Sequence, residues 1–208
     1  GYSNYGRDFT KTKDGGYALI GFQVSEQNLN NSSFYLIKID SLGNKQWEKN
    51  YFSNEAKATN ILGSIDGGYI ISGSRKIQGR ETASVLKVDS LGNTLWYKNF
   101  GNQFSSSMAG IAKSSDSTYV IAYGKSDGTY CSGSPNYSPE ILKVNQDGNE
   151  LWSLNHEYDC YANPLITKEV SFGGGYIIVG IMLDDLQISS GEKYLEWVTF
   201  LLRLDNEG

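Results

Sequence analysis

Two short motifs recur along this chain at intervals of about fifty residues, and this repetition limits the folds that the chain can adopt. The first motif is a Gly-rich turn that leads into Tyr and apolar residues, and it contains Tyr17, Tyr69 and Tyr176. A degenerate copy contains Tyr119, so successive tyrosines are 52, 50 and 57 residues apart. A repeat of this length is one small structural unit, which buries its apolar faces against its neighbours.

The second motif joins an apolar segment to a tryptophan through a turn that contains Gly-Asn. It occupies residues 36–47, 85–96 and 141–152, and a shortened copy occupies residues 201–208. Glycine suits turns that need a positive φ angle. Asp40, Asp89 and Asn145 open these turns, and we expect their side chains to accept hydrogen bonds from backbone N–H groups of the same turn.

Each unit predicts four short strands, here called A to D in chain order. Strand B is a compact apolar run such as Tyr69-Ile-Ile, strand C alternates apolar residues with lysine, and strand D carries the tryptophan. Helical periodicity is absent at useful length. We therefore predict an all-β fold, a β-propeller of four-stranded antiparallel blades with four repeats. A two-sheet sandwich is the alternative.

The predicted repeats span approximately residues 1–50, 51–99, 100–155 and 156–208, and they form a single propeller domain or a segment of one. The leading residues 1–6 resemble the tail of a strand D, and the last unit lacks its own strand D. Two interpretations follow. Either four blades close because one terminus completes the other's blade, or the polypeptide has further blades or domains.

Composition excludes several classes of protein. The 208 residues carry a net charge of −5 without a basic run, which disfavours nucleic acid as a partner. No apolar run reaches the roughly 20 residues of a membrane span, so we expect no membrane insertion. A single histidine and two cysteines rule out multi-histidine and Cys-rich metal sites. We expect neither a metal nor a cofactor.

The two motifs together resemble the tandem propeller repeats of exported Bacteroidetes and archaeal proteins. They are also similar to quinoprotein-like blades, although the spacing from Asp89 to Gly92 is one residue shorter than in that pattern. The sialidase Asp-box hairpin is similar too, but the spacings here are longer. The resemblance implies an extracellular or cell-surface protein, and it says little about activity because propellers host many functions.

Topology separates the connections of such a fold into two groups. The A–B and C–D turns lie at one face of the propeller, and the more variable B–C and D–A connections lie at the other. Because variable loops on a rigid scaffold commonly carry binding residues, we expect a ligand there. Tyrosine combines a flat apolar ring with a hydroxyl, which suits a sugar or a protein surface. The candidate ligand-binding residues are Tyr130, Tyr137, Tyr158, Tyr161 and His156.

Cys131 and Cys160 fall on the same predicted face in adjacent units, and in an exported protein we expect them to form a disulfide. Free or buried thiols and a nucleophilic Cys160–His156 pair are the alternatives. The remaining repeated aromatic residues are interpreted as structural, because they recur where neighbouring blades would pack. These residues are Trp47, Trp96, Trp152, Tyr17, Tyr69 and Tyr176.

These observations predict an exported binding module that contacts a glycan or a protein through the B–C and D–A face. A structural spacer domain of a larger cell-surface protein is one alternative. A polysaccharide-active hydrolase or lyase is another. Because the sequence has no recognisable carboxylate or nucleophile motif, we expect that the chain is not an enzyme.

Overall fold

A computed structural model describes residues 1–53, 55–101, 106, 110–114, 116–131, 134–155, 162–169, 176–187 and 193–204. The regular structure in these ranges is all β-strand. In this described part, no helix has the length and apolar character needed to cross a membrane.

The strands form four consecutive antiparallel sheets. The first sheet contains β1 (Tyr2–Lys11), β2 (Tyr17–Ser25), β3 (Ser32–Ile39) and β4 (Lys45–Tyr51). The second contains β5 (Ala56–Gly63), β6 (Tyr69–Ile77), β7 (Arg80–Val88) and β8 (Thr94–Phe100). The third contains β9 (Gly110–Lys113), β10 (Tyr119–Cys131), β11 (Ser134–Val144) and β12 (Glu150–Asn155). The fourth contains β13 (Ala162–Glu169), β14 (Tyr176–Gln187) and β15 (Lys193–Leu204).

Every sheet is a meander in which sequential strands pair, and the first strands of successive sheets pack against one another in the order β1, β5, β9 and β13. The sheets therefore stack face to face around their first strands, as propeller blades do. The predicted all-β propeller of four-stranded antiparallel blades is confirmed.

The core lies between the sheets. One cluster of buried side chains joins the first sheet to the second and includes Ile20, Leu36, Ile71 and Leu86. A second cluster joins the second sheet to the third in the same manner. Strands β6 and β7 contribute to both clusters, since the second sheet is covered on both faces, and this explains their nearly continuous apolar sequence.

Two expectations about connections need correction. Residues 2–6 do not form a fourth strand, because they continue the β1–β2 ladder opposite residues 21–25. The B–C connection of the second sheet is a two-residue hairpin turn rather than a long loop, since β6 and β7 pair as far as Ile77 and Arg80. Gln78 and Gly79 form that tight turn with φ angles of 51° and 81°, the positive values that a two-residue type I′ hairpin requires.

The Gly-Asn turns have the expected side-chain hydrogen bonds. The Asp40 carboxylate accepts from the backbone N–H groups of Leu42 and Asn44 at 2.9 and 2.8 Å. Asp89 and Asn145 accept the equivalent bonds in the second and third sheets. This prediction is confirmed, and it explains why a short polar residue opens each turn.

Candidate functional site

A polar pocket of about 200 Å³ lies between the first and second sheets, at the end that carries the B–C and D–A connections. We call this end of the molecule the loop end, and the opposite end the turn end. The residues that line the pocket are Leu29, Asn30, Ser32, Glu55, Lys57, Ser74, Lys76 and Glu81. We name it the Glu55–Glu81 pocket after its two carboxylates.

The connection between β4 and β5 places Glu55 at the pocket. Glu55 has a φ angle of 54°, and its backbone N–H donates to the carbonyl of Asn30 at 3.0 Å. The Lys76 ammonium donates to the Glu55 carboxylate, with a distance of 2.8 Å from Nζ to Oε2. The first sheet therefore holds the Glu55 backbone, and Lys76 of the second sheet holds its carboxylate.

The β6–β7 hairpin places Glu81 at the pocket. Its type I′ turn sets Lys76 directly opposite Glu81 in the ladder. The Ser74 hydroxyl donates to Glu81 Oε1 at 2.7 Å, and the Glu81 carbonyl accepts from the backbone N–H of Ser106 at 2.8 Å. Ser106 also bridges to Lys125 on β10, so the third sheet braces this strand.

Ser32 is the unusual residue of the pocket. It is 1 % exposed, and its buried Oγ atom has no hydrogen-bond partner among the described residues. A buried hydroxyl without a partner costs about 1–3 kcal/mol, so native structures rarely leave one unsatisfied. Ser32 therefore places a hydroxyl that can both donate and accept a hydrogen bond in the wall of the pocket.

A second cavity, of about 310 Å³, lies between the first two sheets at the turn end, and three of its four charged side chains are in ion pairs. There the buried Lys38 ammonium contacts the Asp14 carboxylate at 2.9 Å, and Lys87 contacts Asp66 at 2.8 Å. This cavity offers a ligand fewer unsatisfied groups than the Glu55–Glu81 pocket, so we place the candidate site at the loop end.

The Lys–Asp pairs at the turn end recur in three sheets, because Lys143 also contacts Asp116 at 2.8 Å. Hydrogen bonds from Thr12 and Lys38 hold the pKa of Asp14 well below its usual range. Burial raises the pKa of Asp116, but hydrogen bonds from Lys143 and Thr118 outweigh burial, and its pKa is also well below the usual range. These pairs are structural and repeat with the fold.

Sequence reasoning noted that lysine alternates with apolar residues in strand C, but it missed these ion pairs. The signal was present, because Lys38, Lys87 and Lys143 occupy the same position in three units. The residues of the Glu55–Glu81 pocket were also missed. Glu55 and Glu81 are not repeated between units, so periodicity could not single them out.

The structure describes only part of the predicted ligand-binding set. Tyr130 is 72 % exposed near the tip of the β10–β11 hairpin, and Tyr137 lies on β11 opposite Ser126. His156, Tyr158 and Tyr161 lie outside the described residues. The predicted disulfide stays a prediction, because Cys160 and the side chain of Cys131 also lie outside them.

Three of the repeated aromatic residues, Trp47, Tyr69 and Trp96, lie between sheets. Trp47 and Tyr69 contact each other in the first cluster, at 6.4 Å between ring centroids. Trp96 packs against the second cluster and donates its indole N–H to the carbonyl of Gln146 at 2.9 Å. Tyr17 and Trp152 are half-buried. Tyr176 begins β14, and its side chain lies outside the described residues.

We compared the chain with known proteins. No protein-family model matches it, and no curated protein matches it. Solved structures do match. A thermostable family-43 glycoside hydrolase aligns over 99 % of this chain and 73 % of its own, with a TM-score of 0.54 and 13 % identity. A levansucrase from Bacillus subtilis aligns over 98 % of this chain and 67 % of its own, with a TM-score of 0.51 and 9 % identity.

These likenesses show the fold, which is propeller-like with sheets of four antiparallel strands. They also correct one expectation. From the absence of a catalytic motif we expected that the chain is not an enzyme, and that expectation is contradicted, because both of these structural neighbours are enzymes. The absence of a sequence motif was a poor guide, since catalytic carboxylates are brought together by the fold rather than by spacing in the chain.

Proposed function

We propose that the chain is a polysaccharide-active hydrolase and that the Glu55–Glu81 pocket is its reaction site. The observation that supports this proposal is the placement of two glutamates in one polar pocket at the loop end of the propeller. The enzymatic structural neighbours favour a hydrolase over a binding module, at the level of the fold.

The chemistry of glycoside hydrolysis explains why two carboxylates matter. One carboxyl donates a proton to the leaving oxygen, and the other acts as a base toward water or as a nucleophile. We assign Glu55 as the base or nucleophile, because the Lys76 ion pair fixes its orientation. Glu81, the other carboxylate of the pocket, is then assigned as the proton donor.

The remaining groups of the pocket suit a sugar. Carboxylates, ammonium groups and hydroxyls all hydrogen bond to sugar hydroxyls, and the orphan Oγ of Ser32 provides one more partner. The cavity is smaller than the roughly 300–1,000 Å³ pockets of drug-sized ligands, so it suits one sugar ring with the rest of the polysaccharide outside.

The test is hydrolysis of a panel of polysaccharides by the purified chain, followed by the Glu81→Gln and Glu55→Gln variants. Loss of a catalytic carboxyl is expected to lower kcat by at least about 100-fold. Glu150→Gln is the matched control, because Glu150 is an exposed glutamate on β12, outside the pocket. Folding of each variant is checked by its urea unfolding curve.

Two outcomes contradict the proposal. Hydrolysis that survives both substitutions places the reaction elsewhere. A correctly folded chain that hydrolyses no member of the panel removes the hydrolase assignment itself.

A second proposal concerns binding at the third sheet, where Tyr130, Tyr137, Tyr158, Tyr161 and His156 would form a glycan-contacting surface. The 72 % exposure of the Tyr130 side chain supports it, because a tyrosine so exposed can stack its ring on a sugar.

Affinity electrophoresis in polysaccharide gels tests this binding proposal. Tyr130→Ala is expected to weaken retardation, whereas Tyr2→Ala, also at an exposed tyrosine, leaves it unchanged. Equal retardation of both variants contradicts this proposal.

We also propose that the chain acts outside the cell, as one of the exported propeller-repeat proteins, and that Cys131 and Cys160 form a disulfide. Alkylation of the unreduced protein followed by mass spectrometry tests the pairing. We expect no alkylation before reduction and two alkylated cysteines after it. Alkylation of the unreduced, unfolded protein would contradict the disulfide.

A further inference from the structure

The first sheet has an apolar face that no other described sheet covers. It carries Phe9, Tyr17, Leu19, Ile37 and Ile39, which alternate along β1, β2 and β3 with the residues that face the second sheet. Phe9 is 64 % exposed, and the other four side chains are half-buried. We call this surface the free face of the first sheet.

The repeat shows what the equivalent surfaces do in the next two sheets. Ile61, Tyr69 and Leu86 occupy the positions of Phe9, Tyr17 and Ile37, and each is at most 2 % exposed against the first sheet. The equivalent residues of the third sheet are likewise buried against the second sheet. The free face therefore has the composition of an interface between sheets.

The Gly-Asn turns provide a second and independent observation. A Cβ atom placed on Gly92 would lie 3.0 Å from the Trp47 indole of the preceding sheet, and one on Gly148 would lie 3.1 Å from Trp96. Each indole is thus seated on the turn of the following sheet. Gly43 is the equivalent glycine of the first sheet, and a Cβ atom there would meet no atom within 4 Å.

Other contacts accompany each seated indole. At the first interface, the Tyr51 hydroxyl donates to the carbonyl of Gly92 at 2.6 Å, and the Lys49 ammonium donates to the Asn93 side chain at 2.8 Å. Both donors lie on β4, the fourth strand of the preceding sheet. A sheet that covered the free face would bring its own fourth strand to the turn at Gly43.

We infer that the free face of the first sheet docks a further four-stranded sheet of the same repeat, from the same polypeptide, whose fourth-strand tryptophan seats on Gly43. Continuity with the two existing interfaces favours this occupant over an unrelated protein. The length of the structural neighbours agrees with it, because this chain covers only 73 % and 67 % of them. The inference concerns assembly and does not rest on the hydrolase proposal.

A fusion protein tests the inference. A copy of residues 56–100 is placed before Gly1 through a linker as long as the 52–55 connection, so that the copied tryptophan can reach Gly43. We expect the urea midpoint of the 208-residue part to rise. Changing the copied tryptophan to alanine should remove most of the gain, and Ile37→Asp, which puts a charge on the free face, should abolish it.

Four results would overturn the inference. The first is that the fused sheet leaves the midpoint unchanged, and the second is that Ile37→Asp has the same effect with and without the fused sheet. The third is that the 208-residue chain forms a dimer that Ile37→Asp dissociates, in which case the occupant is a second copy. The fourth needs no folded fusion: the reading frame on both sides of residues 1–208 encodes no further unit with the Gly-Gly-Tyr and Gly-Asn-x-x-Trp spacing.

Discussion

The most repeated chemical feature at the scale of single residues is the buried lysine of each third strand. The side chains of Lys38, Lys87 and Lys143 are 5 %, 5 % and 9 % exposed, and each contacts an aspartate of the preceding A–B turn. A buried ammonium needs a carboxylate and further acceptors, since desolvation otherwise outweighs the attraction. Lys87 finds those acceptors in the carbonyl and side chain of Gln146, in the next sheet.

The first prediction is that these pairs make the fold sensitive to acid. Burial raises the pKa of Asp66, but hydrogen bonds from Lys87 and the Gly68 backbone outweigh it, so its pKa in the folded state is lowered. The pKa values of Asp14 and Asp116 are lowered too. A lowered folded-state pKa stabilises the protein above the unfolded value of about 4, and this stabilisation is lost as the pH falls below it.

The measurement is the free energy of unfolding in urea, at about pH 7, 4 and 3, for the wild type and for Asp66→Asn. The variant is expected to be less stable than the wild type at neutral pH and to lose less stability in acid. Asp147→Asn, at an exposed aspartate outside the Lys–Asp pairs, should behave like the wild type. Parallel acid profiles for the wild type and Asp66→Asn would show that the pairs do not cause the acid sensitivity.

At the scale of elements, the Gly-Asn turn is the contact between one sheet and the next. The three glycines have similar positive φ angles, of 87° at Gly43, 76° at Gly92 and 74° at Gly148. Their surroundings differ, because indoles cover Gly92 and Gly148 and nothing covers Gly43. Comparing Gly43 with Gly92 therefore separates the cost of a side chain at positive φ from the cost of displacing the indole.

The second prediction uses that comparison. Gly92→Ala and Gly43→Ala both place a side chain at positive φ, which costs about 1–2 kcal/mol. Gly92→Ala also displaces the Trp47 indole, so its total loss in the free energy of unfolding should be about 1–3 kcal/mol greater. Urea unfolding of the two variants measures the difference. Equal losses would mean that Trp47 adjusts to the added methyl group at no cost.

Most of the strands could be predicted from the sequence, because the same residue types recur at the A–B and C–D turns of successive units. A tyrosine after Gly-Gly marks where strand B begins, and the Trp96 position marks strand D. The lengths of the hairpins at the loop end could not be predicted from this repetition. Pairing beyond Ser74 depends on the type I′ turn at Gln78 and Gly79, and the first unit has the longer connection 26–31 at the equivalent place.

At the scale of the whole molecule, stability is distributed over interfaces between sheets. The first two interfaces each have their own cluster of buried side chains, and the second sheet takes part in both. In such stacked arrays, stability is approximately a sum of unit terms and nearest-neighbour terms. If the equivalent substitution is made in two sheets, the two losses in the free energy of unfolding therefore show at which position a neighbouring sheet covers the side chain.

The third prediction compares Leu86→Ala with Ile37→Ala. Leu86 is fully buried between the first two sheets, and truncation of such a residue costs about 2–5 kcal/mol. Ile37 occupies the equivalent position on the free face and is half-buried, so its truncation should cost about 1 kcal/mol in the 208-residue chain. Urea unfolding measures both losses. A loss at Ile37 as large as that at Leu86 would mean that the free face is covered in solution.

The candidate site was less predictable than the fold. Sequence reasoning selected the loop end, and the Glu55–Glu81 pocket lies there. It did not select the residues, because Glu55 directly precedes β5, Glu81 lies on β7, and β6 between them carries Lys76. The pairing of these three strands brings the two glutamates to one cavity, and strand pairing between distant segments leaves no local pattern in the chain.

The hairpins at the loop end differ in length, and this difference shows where the fold can accommodate insertions. β6 and β7 each contain 9 residues, whereas β10 contains 13 and β11 contains 11. All of the added length projects from the loop end, while the lysine pairs and indole seats lie at the turn end. Insertions can therefore accumulate in one hairpin without altering the contacts between units, so the loop end can change one repeat at a time.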